Sequence, residues 1–430
     1  MPTFVIMKKQ LVYWDTTAEP ITTKWYLKPL MWLLSSPVTA MHKTKIKKIG
    51  MDGVKGPYVL LCNHNAFYDF QVLTKAIFPN NANYIVAIDA FVGFPGQKWL
   101  MQKVGCVGKR KFTNDVNLIR QSKRCIEKGN ILCIYPEARY SLVGTTAVLP
   151  QSLGKMCKMM GVPVVTFMCW GHHINGPCWN QKNRGIKGTE AELKMLISEE
   201  EIKSLSVDEI NHRIVDAFQY DDYAWQKEKG IRCKFKNRAK GLHRVLYQCP
   251  HCGTEFEMSS ERDTLRCNHC GKEWKMSEYG ELRAQDGNTE FSHIPDWYEW
   301  ERANVRREVQ EGKYNSGLLP VHVLSLPNNK VLHLGDGTLI HDMNGFHIQG
   351  QSPEGKPFAQ EHPVPDKYSC HVEFAYKQFG ELLDLSTIHD TWFFSSKDKR
   401  FCLTKFALAT EELYFDYRRK EGKNLKPGLA

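Results

Sequence analysis

The chain predicts an α/β domain followed by two smaller, β-rich units. Apolar runs such as Tyr58-Val59-Leu60-Leu61-Cys62 and Ile131-Leu132-Cys133-Ile134-Tyr135 are each closed by polar residues, a helical repeat lies between them, and the pattern changes near residue 225. Short continuous apolar runs fit strands buried on both faces, which belong to parallel sheets covered by helices. At 430 residues, two or three domains are expected rather than one core.

The first ten residues, Met1 to Gln10, lack a sustained apolar core and a small-residue cleavage pattern, so no secretory leader is expected. No apolar run approaches the roughly 18 residues that span a bilayer. The closest, Trp25 to Leu34, is broken by Lys28 and Pro29. Its two tryptophans and tyrosine suit the headgroup layer, and the basic stretch from Lys43 to Lys48 follows, so peripheral docking on a cytoplasmic membrane face is expected.

Directly after the first apolar run comes Asn63-His64-Asn65-Ala66-Phe67-Tyr68-Asp69. On one ideal helix, side chains five residues apart diverge by about 140°. A contact between them therefore requires His64 in the turn before a helix and Asp69 within it. The imidazole is then placed to take a proton from a hydroxyl, and the carboxylate fixes its tautomer. The same spacing on its own also describes a half-buried histidine beside a surface aspartate.

Further blocks follow: Gly105-Cys106-Val107-Gly108-Lys109-Arg110-Lys111, then Pro136-Glu137-Ala138-Arg139-Tyr140-Ser141 after the second strand, then Gly161-Val162-Pro163-Val164-Val165-Thr166-Phe167. Between the second and third blocks, Val116, Ile119, Lys123 and Ile126 recur at helical spacing before Gly129, which predicts a crossover helix. In this order the four blocks resemble the glycerolipid acyltransferases of the lysophosphatidic acid (1-acylglycerol-3-phosphate) acyltransferase family, over about residues 25 to 215. The resemblance implies His64 and Asp69 as the catalytic pair and Arg110, with Lys109, as a seat for substrate phosphate. It also implies Glu137 as a substrate-orienting carboxylate and Pro163 as the fourth-block proline. The third block departs from the family's F-P-E-G-T-R-S: Ala138 replaces glycine, Arg139 stands at the threonine and Tyr140 at the arginine. A one-residue shift would let Arg139 supply the phosphate contact.

The resemblance implies transfer of a fatty acyl group from an acyl-CoA or acyl-carrier-protein thioester to a hydroxyl of a lysophospholipid such as 1-acylglycerol 3-phosphate, in phospholipid biosynthesis. The net charge of +11 suits such anionic partners. The alternative is a catalytically inactive scaffold that binds lipid or nucleic acid through its basic segments and a zinc ribbon further along the chain. Ala191, Leu193, Met195 and Ile197 alternate as a strand, and Ser206 with Glu209 forms a capping box before a helix that closes the domain. The expected domains are an N-terminal segment (1–24), the acyltransferase domain (25–225) and a basic linker (226–246).

Cys249-Pro250-His251-Cys252 and Cys267-Asn268-His269-Cys270 are separated by fourteen residues, and each pair is followed by glycine, Gly253 or Gly271. Four thiolates satisfy tetrahedral zinc and leave no open position, so Cys249, Cys252, Cys267 and Cys270 predict a structural zinc site in a module resembling a zinc ribbon (247–278). Its few aromatics, Phe256 and Trp274, are expected to pack rather than stack on bases, and nucleic acid is not an expected partner. The other ten of the fourteen cysteines are scattered, several within apolar strands, as in a reducing, cytoplasmic compartment.

A helical connector (279–315) is expected to run to Glu311. The last part (316–430) predicts strands at Leu318 to Leu326, Leu332 to Leu334, Thr338 to Ile340, Tyr368 to Tyr376, Leu382 to Ser386 and Thr391 to Ser395. It adds a hairpin at Asn344-Gly345 and a closing helix over Thr404 to Tyr417. Several strands ended by one helix resemble a pleckstrin-homology-like domain. His333, His341, His347 and His371 are read there as ordinary residues of the barrel.

Overall fold

The computed structural model describes residues 14–15, 17–328, 330–422 and 429. The leader expectation for Met1 to Gln10 lies outside them. The first part runs α1 (Leu27–Met41), β1 (Lys45–Ile49), β2 (Val59–Cys62), α2 (Asp69–Ile77), β3 (Ala82–Ala87), α3 (Gln97–Lys103), β4 (Val107–Lys109), α4 (Val116–Glu127) and β5 (Ile131–Ile134). It continues through α5 (Ser152–Met160), β6 (Val164–Trp170), α6 (His172–Asn175), β7 (Glu190–Ile197), α7 (Glu199–Ser204), α8 (Val207–Ala217) and α9 (Asp222–Glu228).

Its sheet has the order β1-β7-β6-β2-β5-β3-β4. β2 pairs in parallel with β5 and β6, and only the pairing of β6 with β7 is antiparallel. The alternation along β2 divides the core: Val59 and Leu61 pack on one side with Leu132 and Val164, while Leu60 and Cys62 pack on the other with Cys133 and Val165. Burial on both faces is the reason these runs are uninterrupted. The expected crossover helix is α4, with Gly129 left-handed just beyond it at φ +74°. The Ser206–Glu209 capping box opens α8, and a second box, Ser198–Glu201, opens α7.

The second part is a four-stranded antiparallel sheet of β8 (Met258–Glu261), β9 (Thr264–Cys267), β10 (Glu273–Met276) and β11 (Leu282–Ala284). α10 (Ile294–Gln310) follows. It holds the acidic and aromatic residues from Asp296 to Glu301 and ends at Gln310, one residue short of the expected end.

The third part is an antiparallel sheet of β12 (Leu319–Ser325), β13 (Leu332–Asp342), β14 (Gly345–Gln351), β15 (Pro357–Pro363), β16 (His371–Tyr376), β17 (Gly380–Ser386) and β18 (Thr391–Ser395), closed by α11 (Leu403–Lys420). The short runs expected at Leu332 and Thr338 are one strand, β13: its pairing with β12 runs through Gly337 and Gly335 and resumes at His333 after a register shift opposite Val323 and Leu324. The hairpin turn is Met343-Asn344, and Gly345 (φ +120°) already pairs with Asp342. Of the expected barrel histidines, His341 is buried, stacked on Phe346 at 3.7 Å and bonded to the Tyr314 hydroxyl at 2.9 Å.

The parts share a core. One hydrophobic cluster runs from Leu142, Val143 and Trp179 through Trp274 of the small sheet and Trp297 of α10 to Phe406 of α11. The two tryptophans Trp274 and Trp297 meet edge to face at 5.0 Å, both fully buried. The segment expected as a basic linker is part of this packing. Residue 225 falls inside α9, and Ala239, Leu242, Val245 and Leu246 are buried. Its three arginines are paired, Arg232 with Glu278, Arg238 with Asp263 and Arg244 with Glu381.

Candidate active site

His64 lies in the loop after β2, and Asp69 is the first residue of α2, the placement the spacing requires. His64 Nδ1 is 3.2 Å from Asp69 Oδ2, which also accepts the backbone N–H groups of Asn65 (2.7 Å) and Ala66 (2.9 Å). A carboxylate at a helix start that collects N–H donors is stabilised as the anion. Burial pushes the Asp69 carboxyl up, but hydrogen bonds from His172 and His64 outweigh it and hold it down to about 2. The loop itself is pinned to β6: Asn63 Nδ2 donates to the Cys169 carbonyl (2.9 Å), and Asn63 Oδ1 accepts the Cys169 N–H (2.9 Å).

The His64 ring lies between Tyr135 and Tyr140, with centroids 4.5 and 4.0 Å away, and its side chain is 23% exposed. With Nδ1–H directed at Asp69, Nε2 is the nitrogen left to take a proton. The tyrosine that departs from the family pattern at position 140 thus forms one face of the imidazole's slot.

Glu137 follows β5 at the carboxyl end of the sheet. It is buried and accepts the backbone N–H of His64 (3.2 Å) and of Ala147 (2.9 Å), with the Tyr220 hydroxyl at 3.4 Å. Burial pushes its carboxyl up to about 8. It therefore fixes the His64 backbone, in contrast to the substrate contact expected for it. Ala138, at the family's glycine position, is left-handed at φ +55°, in a turn closed by its N–H to the Tyr135 carbonyl (3.0 Å).

The cations of the expected phosphate seat meet groups of the chain itself. Arg110 is buried, and its guanidinium donates to the Leu326 carbonyl (3.0 Å), the Thr391 hydroxyl (2.8 Å) and the Pro327 and His389 carbonyls (both 2.8 Å). Lys111 sits among Asp384 (3.0 Å), Asp89 (3.1 Å) and Glu373 (3.6 Å). Arg139 is buried against Glu411 (2.6 Å) and Ser369 (2.9 Å). All three cations are held by the third part of the chain or the helix that closes it. Lys109 is half-buried beside Asp115, and burial pulls its ammonium down.

Sequence reasoning missed His172, whose Nδ1 lies 2.6 Å from Asp69 Oδ1. The signal was there: His172-His173 directly follows the strand of the fourth block.

Away from this site, the sulfurs of Cys249, Cys252, Cys267 and Cys270 lie within 4.8 Å of one another, with Cys249–Cys270 and Cys252–Cys267 both at 3.8 Å. Sulfurs about 2.3 Å from a tetrahedral ion are roughly 3.8 Å apart, so the four can hold one metal ion. The two knuckles are closed by Gly253 and Gly271, left-handed at φ +76° and +78°, whose N–H groups bond back to the Cys249 and Cys267 carbonyls.

Residues 38–170 match the family model described as Acyltransferase. The matched residues lie within the α/β part, and the β-rich parts lie outside them. Among solved structures, the chain is similar to the 1-acyl-sn-glycerophosphate (LPA) acyltransferase PlsC of Thermotoga maritima, at 14% identity and a TM-score of 0.38, over 47% of this chain and 80% of that one. No curated protein sequence matches the chain.

Proposed function

We propose that the protein is an O-acyltransferase that moves a fatty acyl group from an acyl-CoA or acyl-carrier-protein thioester to a hydroxyl of a lysophospholipid, in phospholipid biosynthesis. The observation that carries this is the His64–Asp69 pair, held at 3.2 Å within a domain matching the acyltransferase family. In the reaction, the acceptor oxygen attacks the thioester carbonyl as His64 Nε2 takes its proton. The C–S bond breaks, and the departing sulfur receives that proton. Asp69 keeps the imidazole oriented and balances the charge it acquires. A phosphorylated acceptor such as 1-acylglycerol 3-phosphate needs a cation, and Lys109 is the second-block residue we propose for it, in place of Arg110 and Arg139.

The lipid acceptor favours a peripheral position on a membrane, at its cytoplasmic face. Among the described residues no helix is long and apolar enough to cross a membrane. Trp25 (79% exposed), Leu33 (60%) and Leu34 (64%) on and beside α1, Phe67 (69%) in the catalytic loop and Trp99 (63%) on α3 supply apolar surface, with Lys24, Lys28, Lys98 and Lys103 among them in sequence. Aromatic side chains mixed with lysines suit an anionic headgroup layer. We assign zinc to the four cysteines as a structural ion of a ribbon and read the last part as a pleckstrin-homology-like domain.

The test is purified protein with labelled acyl thioesters and a panel of lysophospholipids. Acylated product that disappears in His64→Ala, with folding and metal content retained, is the expected result. Turnover retained in that variant rejects the assignment, and absence of product from the wild type across the panel favours the scaffold.

A further inference from the structure

We propose that His172 is a positioning residue of the acyl-transfer site, acting through Asp69 on His64; this rests on the reading of that site as an acyltransferase centre. The Asp69 carboxylate lies between two imidazoles. Oδ2 meets His64 Nδ1 at 3.2 Å, and Oδ1 meets His172 Nδ1 at 2.6 Å. A carboxylate can only accept, so the proton of each contact sits on the imidazole. The two backbone N–H groups hold Oδ2. The second imidazole holds Oδ1, so both oxygens resist rotation about the Cβ–Cγ bond and together they fix the plane into which His64 must donate.

His172 is itself rigid. It is fully buried, opens the short helix α6 directly after β6, and its ring packs on Tyr68 at 4.7 Å. Tyr68 in turn stacks on His42 at 4.9 Å and accepts a hydrogen bond from Asn175 Nδ2 at 3.1 Å. Gly171, left-handed at φ +81°, permits the turn: a Cβ there would lie 2.6 Å from the Trp225 ring. Two adjacent strands therefore each deliver one histidine to the same carboxylate, β2 the one that faces substrate and β6 the one that does not. The His172 Nδ1 to Asp69 Oδ1 separation is that of a charge-assisted hydrogen bond; ligands of one ion would stand farther apart.

The experiment pairs kinetics with imidazole NMR on the full-length protein. His172→Ala should lower kcat about ten- to a hundredfold, the range for outer-shell partners that orient a catalytic group, with KM within about twofold. His172→Asn, whose amide N–H can reach Oδ1, should recover much of the loss. In the NMR spectrum, His172→Ala should remove the His172 Nδ1 proton resonance and shift that of His64, and Asp69→Asn should shift both. A His64 resonance unmoved by His172→Ala, or a loss confined to KM or melting temperature, overturns the proposal. If the wild type shows no His64-dependent turnover, the acyltransferase reading fails, while the resonances still decide whether His172 orients His64.

Discussion

The Arg139 guanidinium and the Glu411 carboxylate lie 2.6 Å apart, both buried, joining the turn after β5 to α11 across 272 residues of chain. Glu411 is the hub of a wider network. Its Oε2 takes Arg302 of α10 at 2.7 Å, and Ser369 donates at 2.7 Å to Oε1, the oxygen that Arg139 holds. Burial alone would raise the Glu411 carboxyl, but Arg139 and Arg302 hold it below the usual carboxylate range. A residue expected to grip substrate phosphate thus fastens the α/β part to the rest of the chain.

Removing one partner of a buried pair leaves the other uncompensated, which costs about 3–5 kcal/mol, whereas replacing both with apolar residues is often close to neutral. Arg139→Met should therefore lower denaturant stability, and here adding Glu411→Leu should not restore it, because that change strips the buried Arg302 of its own 2.7 Å partner. Chemical denaturation of the two variants checks this, and an undiminished stability in the single variant would refute it.

Ala138 occupies a left-handed backbone position where the family pattern has glycine. A side chain there costs about 1–2 kcal/mol, so Ala138→Gly, which also loosens the unfolded chain, should stabilise by a net value of about 1 kcal/mol or less. The expected readout is a rise of a few degrees in melting temperature.

Glu137, pushed up to about 8 by burial, binds its proton more tightly folded than unfolded. Its contribution is fully present below the ordinary carboxyl value of 4.5 and is lost as pH rises through about 8. Glu137→Gln should therefore gain stability over the wild type across that interval. At about 1.4 kcal/mol per tenfold change in proton affinity, several kcal/mol is the upper bound. Asp222, also buried and pushed up to about 8, keeps its own share of the slope. Melting curves at pH 5 and pH 8 measure the difference, and a constant gap between the two proteins would count against it.

Chelation of the metal proposed for the four cysteines, or replacement of Cys249 and Cys252 by serine, should unfold the four-stranded sheet. Because Trp274 of that sheet packs on Trp297 of α10, the loss should spread into the shared core as a lower melting temperature. Wild-type metal stoichiometry in the serine variant would refute the four-thiolate site.

Local pattern was enough for several features. The uninterrupted apolar runs became β2 and β5, the spacing of His64 and Asp69 placed one before a helix and the other at its start, and the two C-x2-C knuckles brought four sulfurs together. Each depends on residues close in sequence, where backbone periodicity and turn geometry dominate. The fates of Arg110, Lys111 and Arg139 did not follow from their blocks, because most of their partners lie 216 to 281 residues away.

The sequence by itself determined which chemistry the chain could carry: an imidazole with its carboxylate, four thiols for one ion, and a cluster of cations. Only the tertiary structure decided that the cations bind the chain's own third part and that a second histidine shares the carboxylate. A basic side chain carries the same charge whether it meets a ligand or a distant carboxylate, and long-range packing alone selects between them.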